Sequence, residues 1–230
     1  MPSGTSCAIR NSIMKKTAII ITAVALLLSG VQAGAKSKTL GAFIEKVNSS
    51  LVLFDYSFSM QTPASKSKMT GKGKVKIQGS SFFLEGNGLE VWCDGATRWT
   101  IDRFSEEALV ESVEESSDGF ATNPALMISA VDEAFEEVSF GTAKFAGKTV
   151  DASSLTPVLK GKSSMDIAGL KLFFKSGTTE LVGAEIKLND GSVSEFSISG
   201  LSFSAKGQEK GSFRFDEKTL GNSYVVTDLR

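Results

Sequence analysis

Side chains that could perform chemistry are few in this chain, and the most telling fact is a lack: it contains no histidine. That removes the usual general acid or base near neutral pH and a common zinc ligand, so histidine-dependent hydrolytic triads are excluded. Two carboxylate pairs, Glu106-Glu107 and Glu114-Glu115, have the right groups for acid–base work. They sit in a polar connection near Ser116, Ser117 and Asp118, where a solvated acidic face is the expected role. No phosphate loop or dinucleotide fingerprint occurs. Cys93 is expected to be a small buried hydrophobe rather than a reactive thiol. These residues point to a protein that binds rather than catalyses, with no enzymatic activity, cofactor or metal.

The ends of the chain indicate where it works. Met14-Lys15-Lys16 opens a short basic segment, followed by the apolar run Thr17 to Leu28 and by small residues at Ala33 and Ala35. This pattern predicts a cleaved secretory signal peptide, because the run is well short of the roughly 20 residues of a membrane-spanning helix. Residues 1–33 are therefore assigned to an upstream extension plus signal peptide, and residues 34–230 to a single domain. Leu28-Ser29-Gly30 is followed by Val31 rather than the Cys that lipid anchoring needs, so a soluble mature protein is expected. Cys7 lies upstream, which leaves Cys93 alone and excludes an intramolecular disulfide. Without Arg10, Lys15 and Lys16, 22 of the 25 basic residues face 26 acidic ones, an argument against nucleic acid as the main partner.

The elements follow from periodicity. Leu40, Phe43, Ile44 and Val47 recur at helical spacing, with Ser37 or Thr39 as the cap. The period then changes to two: Val52, Phe54, Tyr56, Phe58 and Met60 alternate with Leu53, Asp55, Ser57 and Ser59, predicting a long half-buried strand. Similar alternation recurs at Val75 and Ile77, Leu89 and Val91, Trp99 and Ile101, Leu170 to Phe174, Val182 to Leu188, Phe196 and Ile198, and Phe213 and Phe215. Short antiparallel strands with one apolar face suggest one curved sheet or barrel, with a sandwich as the alternative.

One later segment is helical. Asn123-Pro124 opens a run in which Leu126, Ile128, Val131, Ala134 and Phe135 share a face, opposite Asp132, Glu133, Glu136 and Glu137. Flanked by strands, this helix must cover a face or an open end of the sheet, where it can act as a lid. At the Cys93-Asp94-Gly95 hairpin the expectation is an odd loop, Asp94-Gly95-Ala96. That loop would pair Val91 with Trp99 and Leu89 with Ile101, and set Trp92 beside Arg98 on the opposite face.

Three blocks carry a family resemblance: Gly73-Lys74-Val75-Lys76-Ile77 with Phe82-Phe83; Cys93-Asp94-Gly95-Ala96-Thr97-Arg98-Trp99-Thr100-Ile101-Asp102; and Phe213-Arg214-Phe215-Asp216 through Val225-Val226-Thr227-Asp228-Leu229-Arg230. In order and spacing they resemble the LolA-like outer-membrane lipoprotein carrier family, and Asn123 to Ile128 matches the place where that family starts a lid helix. The resemblance implies a mainly β fold with a few helices: an incomplete, unclosed antiparallel β-barrel with helices covering an apolar cavity. It implies a periplasmic carrier that sequesters the acyl chains of lipoproteins and ferries them between the inner and outer membranes. The implied partners are acylated lipoproteins, an inner-membrane lipoprotein-releasing transporter and an outer-membrane acceptor, with the carrier a monomer. A lipid- or glycolipid-binding periplasmic sensor or adaptor on the same barrel is the alternative.

On this resemblance the lipid-binding inward face comprises Phe54, Tyr56, Phe58, Val75, Ile77, Leu89, Val91, Trp99 and Ile101, with Leu126, Ile128 and Phe135 from the lid. Many family members carry a basic residue and Pro before the Phe strand, where this chain has Gly79-Ser80, so a lid latch built on that arginine does not transfer. Burial of an acyl chain is worth ~0.8 kcal/mol per methylene, or roughly 12 kcal/mol for about 15 of them. A carrier must replace that burial and still release its cargo. Lys66, Lys68, Lys72, Lys74 and Lys76 form a basic strip expected to dock a membrane partner.

Overall fold

A computed structural model of the chain describes residues 36–65, 67–113, 123–158, 166–205 and 213–230. The leader, Lys66 and the Glu114-Glu115 pair with Ser116, Ser117 and Asp118 lie outside the described residues.

Helix α1, Lys38–Ser49, forms where the sequence placed it, and its buried residues are Leu40, Phe43, Ile44 and Val47. Ser37 caps it by accepting the Leu40 N–H at 3.2 Å. The chain passes directly into β1, Ser50–Gln61, and continues through β2, Met69–Gln78, β3, Ser81–Gly86, β4, Leu89–Cys93, β5, Thr97–Asp102, and β6, Glu107–Ser112. Two short helices follow, α2, Pro124–Ser129, and α3, Val131–Ala134. Then come β7, Phe135–Phe145, β8, Lys148–Pro157, β9, Ile167–Phe174, β10, Leu181–Leu188, and β11, Val193–Ala205. A 3-10 turn, Glu217–Thr219, precedes β12, Val225–Asp228.

All twelve strands join one sheet in the order β12-β6-β5-β4-β3-β2-β1-β11-β10-β9-β8-β7. Neighbours are antiparallel except β12, which runs parallel to β6. The sheet does not close on itself, and β12 and β7 are its edges. It is thus mainly β with a few helices, an unclosed antiparallel barrel.

Strand order explains which faces are covered. The chain leaves β6 near one edge and re-enters at β7 on the other, and α2 lies on that crossing. Leu40, Phe43, Ile44 and Val47 of α1 and Ala125, Met127 and Ile128 of α2 share one cluster with Phe54, Val75, Ile77, Phe82, Leu84, Phe174 and Phe196. The face these helices cover is the inner face. The passage from β11 to β12 makes a second crossing, on the outer face, where Phe215, Leu220 and Tyr224 cover Trp99, Ile101, Ala108 and Val110. A third, smaller outer cluster joins Phe145, Val150, Ala152 and Phe173.

Several expectations are corrected. The hairpin between β4 and β5 has neither the odd loop nor an Asp94-Gly95 loop, because Cys93 pairs with Arg98 and encloses four residues, Asp94 to Thr97. The Asp94 carboxylate accepts the Ala96 and Thr97 amides at 3.0 and 2.9 Å, and Gly95 takes φ +95°, so a side-chain-closed turn replaces a tighter ladder. Trp92 therefore pairs with Trp99, and Val91 with Thr100. Arg98 does not accompany Trp92; its guanidinium binds Glu111 at 2.7 and 3.1 Å.

The second helical run is shorter than its periodicity suggests: Phe135 begins β7 by pairing with Pro157, which leaves Glu136 and Glu137 on a strand. Glu106 lies in a turn at φ +55°, but Glu107 belongs to β6 rather than to a loop. Phe213 and Phe215 are buried without forming a strand.

Candidate functional site

The inner face is built around an aromatic row made possible by glycine. Tyr56 lies opposite Gly73 and Phe58 opposite Gly71, with Gly73 in turn opposite Gly86. Bare glycine lets the rings lie against the β2–β3 backbone: a Cβ on Gly86 would come 2.9 Å from the Tyr56 hydroxyl and 2.5 Å from the Lys72 carbonyl oxygen. The Tyr56, Phe58 and Phe196 rings then pack with centroids 5.8 to 6.4 Å apart. Burial pushes the Tyr56 phenol above its ordinary range, so it stays neutral and acts as a mostly apolar ring. From α1, Phe43 meets Phe174 edge-on at 5.5 Å.

The structure divides the twelve expected lipid-facing residues. Phe54, Tyr56, Val75, Ile77, Val91, Ile128 and Phe135 are buried in the helix-covered cluster, and Phe58 and Leu126 are half-buried at its margin. Leu89 is 37% exposed beyond the helices. Trp99 and Ile101 belong to the outer cluster beneath the β11–β12 crossing, a consequence of the four-residue turn. The covering helices fill the space over the inner face: Phe43, Phe174, Phe196, Met127 and Ile128 are each no more than 1% exposed. Cys93 is buried in the same cluster, and burial raises its thiol pKa.

Sequence reasoning missed the device that holds α1 down. Glu137, placed in advance on an exposed helical face, is a buried carboxylate on β7. It accepts the Ser37 hydroxyl at 2.9 Å, the Ser153 hydroxyl at 2.7 Å and the Ser37 N–H. A carboxylate at the α1 N-terminus also complements the helix dipole. Alongside it Lys36 is paired with Asp132. The helix is thus continuous with β1 at one end and held by hydrogen bonds to β7 at the other. Glu137→Ala should cost about 2–3 kcal/mol, since it strands the buried Ser153 hydroxyl and the half-buried donors of Ser37. Denaturant unfolding measures the loss, and faster amide exchange confined first to α1 is the expected local signature.

Among the described residues there is no group of three or more acidic or Cys side chains placed to hold a metal, and no helix is long and apolar enough to cross a membrane. Open grooves lie outside the helix-covered region, two of them along the sheet from β1 to β12. One of about 480 Å³ is lined by Asp55, Tyr56, Gly73, Glu85, Gly86 and Arg103, among others. Lys72 and Lys74 line it too, and Arg103 is engaged within it, because Glu90 takes the Arg103 guanidinium at 2.8 and 3.0 Å and Phe215 and Tyr224 flank it. The other, of about 420 Å³, lies on the inner face of β4–β6 and β12.

No family model and no curated protein matches the sequence. Among solved structures, the chain is similar to a LolA superfamily protein from Nitrosomonas europaea at 10% identity, over 78% of this chain and 99% of that one, with a TM-score of 0.45. It is similar to an uncharacterized conserved protein from Thermus thermophilus at 7% identity, over 83% and 99% of the two chains, with a TM-score of 0.48. A putative outer membrane lipoprotein-sorting protein domain from Vibrio parahaemolyticus shares 12% identity over 76% and 94%, with a TM-score of 0.41.

Proposed function

We propose that this chain is a periplasmic carrier that shelters the acyl chains of lipoproteins between its inner face and helices α1 and α2 on the way between two membranes. The observation that carries this reading is the attachment of α1: four apolar side chains close the inner face, while the far end of the helix is fastened by exchangeable hydrogen bonds at Glu137. Raising α1 exposes those four side chains at roughly 1.5–3 kcal/mol each, about 6–12 kcal/mol in all. One acyl chain returns about 12 kcal/mol on burial. The near balance suits a carrier, which must hold its cargo and release it.

A polar detail on the inner face supports the same class of ligand. Ser194 is fully buried, sits opposite Ile186, and its hydroxyl has no hydrogen-bond partner. Such a group costs about 1–3 kcal/mol, which the ester carbonyl of a bound acyl chain would recover. A purely hydrocarbon ligand would leave it unpaired.

Native mass spectrometry of the purified protein with a synthetic tripalmitoylated lipopeptide tests the proposal. A one-to-one adduct is expected, with none from the same peptide lacking acyl chains. Phe58→Ser and Leu126→Ser, at the half-buried margin, should weaken it while leaving the fold intact. A protein that stays empty and cannot extract the lipopeptide from vesicles would sink the carrier reading.

A further inference from the structure

Among the described residues, the inner face is not covered from end to end. The α1 and α2 cluster reaches β4 at Val91 and Cys93, whereas the inner-facing residues beyond, on β5, β6 and β12, include Thr100, Asp102, Glu107, Leu109, Val225 and Thr227. Together with Leu89 these residues line the groove of about 420 Å³. Three independent features meet there. The first is a sheet edge with no pairing strand among the described residues: Val225 and Leu229 direct their N–H groups to Glu106 and Val110 of the β6 side, so the alternate N–H groups of Val226 and Asp228 point away from the sheet.

The second is apolar surface. Val225, Val226 and Leu229 are 64, 47 and 53% exposed. The third is unbalanced charge. Asp102 and Glu107 stand directly opposite each other on adjacent strands, an arrangement that repels. The arginines of this corner are engaged elsewhere, Arg98 with Glu111, Arg103 with Glu90, and Arg230 with Asp228 and Glu217. Asp102 is held ionised by the Phe104 and Ser105 amides, which lower its pKa.

We infer that the β12 edge docks an extended polypeptide segment that alternates aliphatic with basic side chains. The segment adds as a thirteenth strand beside β12. Its backbone satisfies Val226 and Asp228, its aliphatic side chains cover Val226, and its cations reach over Val225 toward Glu107, relieving the Glu107–Asp102 repulsion. Charge complementarity selects the partner: an acidic strand would add to a repulsion already present, and a neutral one would leave it uncompensated. This site is separate from the acyl site beneath the helices and does not depend on it.

Fluorescence anisotropy with a labelled Thr-Val-Lys-Val-Lys-Val-Thr peptide tests the inference. Binding that weakens as salt rises is expected, with no binding of the glutamate-for-lysine peptide or of one with proline at its centre. Glu107→Gln should weaken binding about twofold, the effect of one exposed ion pair. Val226→Pro, tolerated on an edge strand, should abolish it without changing the thermal unfolding profile. Equal affinity for the acidic peptide, full binding by Val226→Pro, or self-association through this edge in sedimentation would each overturn the inference. The lipopeptide adduct should be unaffected by either variant, so failure here is distinguishable from failure of the carrier reading.

Discussion

Gly73→Val should destabilise the protein by about 3 kcal/mol or more, with Gly73→Ala already showing most of the loss. A Cβ at this position falls well inside contact distance of the Glu85 carbonyl oxygen and 2.9 Å from the Tyr56 ring. The first neighbour is backbone of the adjacent strand, which cannot rotate away. Relief therefore requires β2 and β3 to part or the Tyr56 ring to leave the inner face. Elsewhere a strand glycine is a weakness to be filled; here it is the seat of an aromatic ring. Urea unfolding and near-ultraviolet circular dichroism read the two consequences, and wild-type values from both for Gly73→Val would refute the account of the glycine-floored row.

Trp99→Ala should cost about 4 kcal/mol, as expected for a large side chain that is 1% exposed. Trp99 packs with Ile101, Ala108, Val110 and Phe215, and its indole N–H donates to Glu217 at 2.9 Å. Its removal loosens the segment that crosses the outer face, so limited proteolysis between Phe213 and Tyr224 should precede global unfolding. Trp99→Phe should recover most of the packing but not the bond to Glu217. If Trp99→Ala instead abolished lipopeptide binding with the outer crossing still protected, the placement of this side chain on the outer face would be untenable.

Much of the architecture is visible in residue order because apolar residues at period two or 3.6 bury one face. That rule is enough for α1, β1, β2 and the inner-face roles of Phe54, Val75 and Ile77. It fails where a polar side chain replaces an expected backbone interaction. The Asp94 carboxylate closes the hairpin through two amides, and the resulting shift in pairing moves Trp99 and Ile101 to the opposite face. Alternation alone fixes which residues share a face but not which face that is.

Strand β6 is concealed for a related reason: its inner residues Glu107 and Glu111 are acidic and leave Leu109 as the single apolar residue on that face, so it resembles a loop. Strand β8 is concealed by Ser153 and Ser154; Ser153 is fully buried only because Glu137 receives its hydroxyl. From Leu126 to Phe135 a short run satisfies a helical period, and only the ladder to Pro157 shows that its last residue is strand. The Glu137 fastening brings together residues 100 positions apart, a relation no local pattern contains.

The strand order has a further consequence, for how quickly the molecule assembles. Strands β1 to β6 form one run of sequential hairpins and β7 to β11 another, each made of neighbours along the chain. Loop-closure entropy is small within either run and is concentrated at two joints, β1 with β11 and β6 with β12. Folding should therefore proceed as two fast meanders followed by slow closure of the β1–β11 seam. Tyr56 pairs with Ile198 at that seam, so the strand carrying the central ring of the inner face also governs the final closing step.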